Sequence, residues 1–454
     1  MRRQVEATDE DRDEDIGTIM VDAETPSIQH ILESAVGHHG AGRLPEAEAG
    51  YRQVLDTAPN HPVALHLLGV IAHQVGQNDV AVELISKAVS VHPDYADAHN
   101  NLGAALKELG RLDDAMASYR RAIGVNPEYA DAHYNLGNTL AGQGKAEEAV
   151  GCFQKAVEIK PDHATAHNNL GNVFKELGRL EDAAASFRRA TEAKPDYAEA
   201  HNNLGNVLVD LGTPDSALDS FNKALAISPE FAEAHSNLGM GNALQNMGRP
   251  DNAVASFQKA LEISPEYAQA HYNLGNVFKD LGRLDEAISS FQNALAHQPD
   301  YPEAHNNLGA AFQALGQLNN AAANYAQAIE IKPDYAEAHN NLGLLQLLRG
   351  DFTNGWNNYG WRWKLTDRPL RPRKYDQPIW NGGALSEKTI FVYAEQGSSD
   401  TIQFARYLGL LKAQGAQVIF EAPENLRRLL EYGDYTDILI VENQSRQLLT
   451  TMPL

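Results

Sequence analysis

The chain has one cysteine, Cys152, in 454 residues, so no internal disulfide can form. Aromatic residues are few, 7% against 43% apolar residues overall. A core of this size must therefore be assembled from many small contacts. Cations are scarce as well: 37 Lys and Arg stand against 60 Asp and Glu, a formal net charge of -23 with a pI near 5.1. A surface of that sign repels phosphate, which excludes a nucleic-acid partner. No apolar run approaches the roughly 18 residues that a membrane helix needs, and the N-terminus carries no signal-type apolar stretch. The expectation is a cytoplasmic protein with no membrane association. Residues 1–27 carry nine acids against Arg2, Arg3 and Arg12, which predicts a disordered acidic tail.

What the chain has in excess is repetition. PDYAEAHNNLG at residues 195–205 recurs letter for letter at 333–343. Prolines fall at 59, 93, 127, 161, 195 and 229, each 34 residues after the last, and then at 265, 299 and 333. The period is 34, with one two-residue insertion between Pro229 and Pro265. Within residues 164–197, Leu170, Phe174 and Leu177 recur at helical spacing and Gly178 marks a stop. A second helix begins near Glu181, buries Ala183, Phe187 and Ala190, and ends before Pro195, whose ring and missing amide hydrogen cannot continue it. The unit is a helical hairpin in which Gly171, Ala183 and Ala190 are small where helix axes approach, while Phe187 fills the wedge between hairpins. Acids follow the prolines at capping-box spacing, as in Asp196 with Glu199 and Glu230 with Glu233, and are expected to cap the helices they open.

The pattern of Leu-Gly, aromatic, Ala, Phe or Tyr, Ala and Pro over 34 residues closely resembles the tetratricopeptide repeat family. That resemblance implies a mainly α fold, a right-handed superhelical solenoid over residues 28–368, with nine full units from 28 to 335 and a tenth from 336 to about 368. The first unit has Ser34 and Ala35 where others have Leu-Gly, and the tenth has Gly355 where others have Ala, so both ends read as caps. In AHSNLGMGNALQNMGRP, residues 234–250, two pairs compete for the Leu-Gly-Asn register. The expectation there is a bulge or an extended first helix, and a break in any ladder that crosses it.

Two polar rows run through the repeats. His99, His133, His167, His201, His235, His271, His305 and His339 occur once per unit. Adjacent helices pack about 8 to 10 Å apart, whereas nitrogens on one zinc at about 2 Å lie within roughly 4 Å of each other. The row therefore predicts packing between hairpins and no metal site. The second row is Asn101, Asn135, Asn169, Asn203, Asn237, Asn273, Asn307 and Asn341, backed one turn onward by Asn138, Asn172, Asn206 and Asn276. Asn costs a helix about 0.6 kcal/mol relative to Ala, and its primary amide both donates and accepts, so it can pair with any peptide group. Rungs about 8 to 10 Å apart match about three residues of extended chain at 3.3 Å each. Asn101, Asn135, Asn169, Asn203, Asn273, Asn307 and Asn341 are the candidate peptide-binding residues. The residues beside the row, Asn100, Tyr134, Asn168, Asn202, Ser236, Tyr272, Asn306 and Asn340, include no cation, which argues against the carboxylate clamp that relatives use.

After the repeats, Trp356, Trp361, Trp363 and Trp380 cluster among Arg362, Lys364, Arg368, Arg371, Arg373 and Lys374, as expected where two domains meet. Beyond a linker at 369–388, TIFVY (389–393), AQVIFEA (416–422) and DILIV (437–441) read as strands alternating with helices over Thr401–Gln414 and about 424–432, hence a small parallel α/β domain over 389–454. The stretch from GDFTNGWNNYGWRWK through AEQGSSDTIQFARY resembles bacterial tetratricopeptide proteins with a C-terminal glycosyltransferase-like domain, similar to O-linked N-acetylglucosamine and ADP-heptose transferases. The resemblance implies a partial Rossmann-like domain in which Asp400 matches a loop aspartate acting as base; Gly397, in the loop between the first strand and the helix, can by its place present backbone N–H groups to a phosphate. Ser399 departs from that pattern, which has Gly there. The family's transferases hold the sugar nucleotide mainly with a second domain, and this chain reaches only three strands of the first before Leu454.

Two function classes follow. One is a scaffold that binds extended protein segments along the repeats and uses no cofactor. The other is a protein glycosyltransferase, or part of one, whose repeats select acceptors and which engages a nucleotide sugar only if the second domain is supplied. The sequence favours the first, with no enzymatic activity expected of this chain alone.

Overall fold

The structure, a computed structural model, describes residues 27–245, 250–365, 380, 382–395, 397–433 and 436–441. The expected acidic tail, except Ser27, and most of the expected linker lie outside the described residues. From Ile28 to Tyr359 the described residues form twenty α-helices paired as ten hairpins. The chain divides into two compact units, Met1–His297 with the first eight hairpins and Gln298–Leu454 with the last two hairpins and a sheet.

The fifth hairpin, Ala164–Glu176 and Leu180–Ala193, shows why this sequence folds as it does. Its first helix stops at Gly178, where φ is +73°, a backbone region that disfavours any side chain. The Arg179 amide then reaches back to the Phe174 carbonyl at 2.8 Å, and the Arg179 guanidinium lies 4.3 Å from the centre of the Phe174 ring. Ala183, Phe187 and Ala190 are fully buried, as the periodicity predicts. Burial of a Phe side chain contributes roughly 1.5 to 3 kcal/mol. Gly171 is required by contact: a Cβ there would stand 2.7 Å from the Phe187 ring. The same pairing of glycine with ring recurs from Gly103 with Tyr119 through Gly309 with Tyr325. The first hairpin keeps the close approach but exchanges the partners, with Ala35 on the first helix against Gly50 on the second.

Within the first unit, each hairpin packs on the next, and from the second hairpin onward the first helices of successive hairpins touch one another directly. They therefore share one continuous face. In the seventh hairpin one residue of the insertion lengthens the first helix, Ala232–Gln245, to 14 residues against 13 in its neighbours, and residues 246–249 lie outside the described set. Gly239 still meets a ring, that of Phe257, now two residues further along than in other hairpins. Asn242 turns to Ser256 of its own hairpin at 3.4 Å rather than joining the ladder.

In the second unit, β1 (Thr389–Tyr393), β2 (Gln417–Ala422) and β3 (Ile438–Val441) form a parallel sheet in the order β1-β2-β3. Val418, Phe420 and Ala422 bury one face against Leu408, Leu426 and Leu430. The helix expected over Thr401–Gln414 is two short helices, Ser398–Ala405 and Leu408–Ala413, broken at Arg406 and Tyr407. Three parallel strands occur in many α/β folds, so the sheet establishes the α/β character and leaves a Rossmann-type architecture undecided.

Candidate functional site

The histidine row is the simplest to place. In all eight histidines Nε2 lies 2.8 to 3.2 Å from the carbonyl oxygen of the proline six residues earlier, from His99 with Pro93 to His339 with Pro333. Nε2–H therefore donates, tying each first helix to the turn that precedes it. The row is structural, and the described residues include no group of three or more His, Cys, Asp or Glu placed to hold a metal.

The asparagine row makes a second set of bonds, from hairpin to hairpin. Asn135 Nδ2 donates to Asn100 Oδ1 at 3.0 Å, Asn203 to Asn168 Oδ1 at 3.1 Å, and Asn237 to Asn202 Oδ1 at 3.0 Å. Asn169 donates to the Tyr134 hydroxyl at 3.3 Å and to Asn138 Oδ1 at 2.7 Å, while Asn101 donates to His66 Nε2 at 2.9 Å. Each acceptor but Asn138 stands one position before the ladder in the preceding hairpin. That neighbouring position was legible in the sequence only as a lack of cations. Its residues are in fact the anchors of the ladder, with Asn168 and Asn202 at 0% and 1% exposure. A periodic Asn-Asn pair with one member on the buried side of the helix was the signal available for them.

The first-turn acids do not cap their helices as expected. The helix opened by Tyr197 has no side-chain cap, and Glu199 instead accepts from Asn168 Nδ2 of the preceding hairpin at 3.1 Å. Glu233 accepts likewise from Asn202 at 3.1 Å. The spacing that suits a capping box also brings the acid against its neighbour's buried amide, and the cross-hairpin bond wins.

Asn273 lies past the insertion and is buried, accepting from Gln269 of its own helix at 3.1 Å. In the second unit, Asn341 donates to Asn306 Oδ1 at 3.0 Å and Asn307 accepts from Asn306 at 3.3 Å. The structure thus brings Asn101, Asn135, Asn169 and Asn203, with Asn237, into one linked row and leaves Asn273 out of it.

On the side of the second helices, a cleft of about 320 Å³ lined by Arg188, His201 and Lys223 recurs two hairpins earlier as one of about 430 Å³ lined by Arg120, His133 and Lys155. Glu192 and Asp219 in one, Glu148 in the other, balance these cations. Cys152 lines the second cleft, and burial pushes its thiol upward, which keeps it protonated and unreactive at neutral pH.

In the second unit, the tryptophan cluster splits. Trp361 stacks on His339 with ring centres 4.0 Å apart, and Arg362 lies between the Tyr359 and Trp363 rings while pairing with Glu395 at 2.8 Å. Trp356 and Trp380 are exposed. Glu395 belongs to the loop that leads to Gly397 and Asp400, so the end of the repeats is bonded to that loop. Gly397 precedes the helix Ser398–Ala405 with φ -56°, and a Cβ on it would meet nothing within 4 Å. Among the described residues no contact demands glycine there. Asp400 lies exposed in the first turn of the same helix.

The family model of the cilia and flagella-associated protein 70 C-terminal domain, a TPR domain, matches residues 2–238. A TPR repeat model matches residues 241–282, 275–316 and 311–350. No curated protein matches the chain. Among solved structures, YrrB, described as a TPR protein with an unusual peptide-binding site, is 30% identical over 41% of this chain and 95% of its own, with a TM-score of 0.35. TTC0263, a thermophilic TPR protein of Thermus thermophilus, is 26% identical over 40% of this chain and 99% of its own, at a TM-score of 0.36. A tetratricopeptide repeat protein from Parabacteroides merdae is 18% identical over 55% of this chain and 98% of its own, at a TM-score of 0.47.

Proposed function

Because the chain belongs to the tetratricopeptide repeat family, we propose that it is a protein-interaction scaffold that holds an extended peptide segment along the face shared by its first helices. The observation that supports this reading is the linked row from Asn101 to Asn237. Each of its amides is fixed in place by a bond to the hairpin before it. A row of prepositioned amides lowers the ordering cost that a flexible site incurs on binding. Rungs one hairpin apart suit every third residue of an extended chain.

Replacing Asn135, Asn169 and Asn203 with Ala is expected to weaken binding of an unstructured peptide by about 0.5 to 1.5 kcal/mol per rung. The measurement is fluorescence anisotropy with a library of labelled peptides, beside a circular-dichroism melt of the variant. Undiminished binding by a folded triple variant would remove the reading.

A second reading, transfer of a sugar to a bound protein, draws on one arrangement: strand β1 leading through a short loop into a helix whose first turn holds the exposed Asp400. Asp400 would serve as base and Gly397 would stand beside the nucleotide. Calorimetry with UDP-N-acetylglucosamine and with ADP-heptose tests it. Micromolar binding lost in Asp400→Ala would favour transfer over the scaffold.

A further inference from the structure

The direction of the ladder amides can be fixed by chemistry at two rungs. An ionised carboxylate only accepts hydrogen bonds. Glu199 is bonded to the side chain of Asn168 at 3.1 Å, so Asn168 must turn its NH2 group toward Glu199 and its carbonyl the other way. That carbonyl faces Asn203, which must answer with its own NH2 at 3.1 Å. A second bond from the same nitrogen of Asn203, to Asn172 Oδ1 at 3.4 Å, draws the amide the same way. The same relay runs from Glu233 through Asn202 to Asn237, at 3.1 and 3.0 Å. Asn168 and Asn202 are almost wholly buried, so water cannot substitute for either partner. Glu199 and Glu233 themselves are exposed.

We infer that Glu199 and Glu233, acting through buried Asn168 and Asn202, orient Asn203 and Asn237 so that these rungs present their carbonyl oxygens outward and select a ligand that offers N–H groups, the main chain of an extended peptide. This rests on the reading that the first-helix face binds peptide. The acids and the buried asparagines are positioning residues, since none of them needs to touch the ligand. The oriented run ends at Asn237, because Asn273 is buried beyond the insertion and bonded within its own helix.

The test compares two probes on the full chain by fluorescence anisotropy. One is a labelled, unstructured 15-residue peptide. The other is the same peptide with ester links in place of every third amide, made in all three phases, so that N–H donors are removed while shape is kept. The parent peptide is expected to bind tighter than the ester in one phase by about fivefold per rung lost, the factor that corresponds to a hydrogen bond of about 1 kcal/mol. Asn168→Leu with Asn202→Leu should abolish that preference. Asn168→Leu should add nothing to Asn203→Ala, because both remove one oriented carbonyl. Glu199→Gln with Glu233→Gln keeps size and burial but lets the relay run in either direction. This pair should lower the preference with no change in helical content, which covers the case in which the leucine variants fail to fold. Asn273→Ala should leave affinity unchanged. Equal affinity for parent and ester in every phase, alongside weakened binding by Asn203→Ala, would overturn the orientation and leave the peptide-binding reading standing. Unaltered binding in Asn135→Ala, Asn169→Ala and Asn203→Ala together would overturn both.

Discussion

His66 is the one buried histidine that departs from the pattern of the others. It occupies the anchor position that Asn100, Asn168 and Asn202 hold elsewhere, at 3% exposure. Its Nε2 receives the Asn101 amide at 2.9 Å, so the proton of the neutral ring sits on Nδ1, 2.8 Å from the Tyr95 hydroxyl. Burial lowers its pKa to about 4, partly opposed by the charge of Asp97. An unfolded histidine takes a proton near pH 6.5, which the folded one refuses until about pH 4. The stability that this difference supplies is therefore complete above pH 6.5 and is lost as the pH falls toward 4, on the order of 3 kcal/mol in all. Urea denaturation of the chain and of His66→Asn between pH 7 and 4 should show a shallower decline in the variant. Parallel declines would mean that other groups set the acid limit. Nothing in the sequence marked His66, because its place in the asparagine register shows only when it is aligned by hairpin rather than by residue type.

At the scale of the element, hairpin boundaries were legible to within a few residues, since glycine, proline and the spacing of alanines act locally and recur. The strands were legible because short apolar runs rich in Ile, Val and Phe are a local signal too. What escaped was every contact made between hairpins. Glu199 has the spacing of a cap and the partner of a cross-link, and only the distance to Asn168 distinguishes them. The long helix expected after β1 breaks at Arg406 and Tyr407, where no proline or glycine gives warning. The Gly-ring contact yields a test at this scale. Gly171→Ala forces a methyl against the Phe187 ring at 2.7 Å and is expected to destabilise the chain by about 1 to 3 kcal/mol in a thermal or urea melt, despite alanine's better helix propensity. Phe187→Leu in the same background should recover part of that loss. No recovery would place the strain in the backbone instead of the ring.

At the scale of the molecule, an excess of 23 negative charges opposes compaction, and most of the acids are exposed. Screening relieves such repulsion over about a Debye length, roughly 10 Å at 0.1 M salt. The melting temperature should therefore rise between 10 and 200 mM NaCl, and a fall would show that the surface ion pairs outweigh the net repulsion. Stability in a stack of this kind is carried by contacts between neighbours. Each hairpin of the first unit meets chiefly the one before and the one after, through surfaces built on one repeated 34-residue pattern. Such a chain has joints that are interchangeable. A recombination between the two identical stretches at 195–205 and 333–343 would excise 138 residues, four hairpins and the two-residue insertion together, and still leave a junction of native sequence at the seam. The length of this protein is thus open to change in whole steps without any new interface having to evolve, and the insertion after Asn237 travels as cargo within one of those steps.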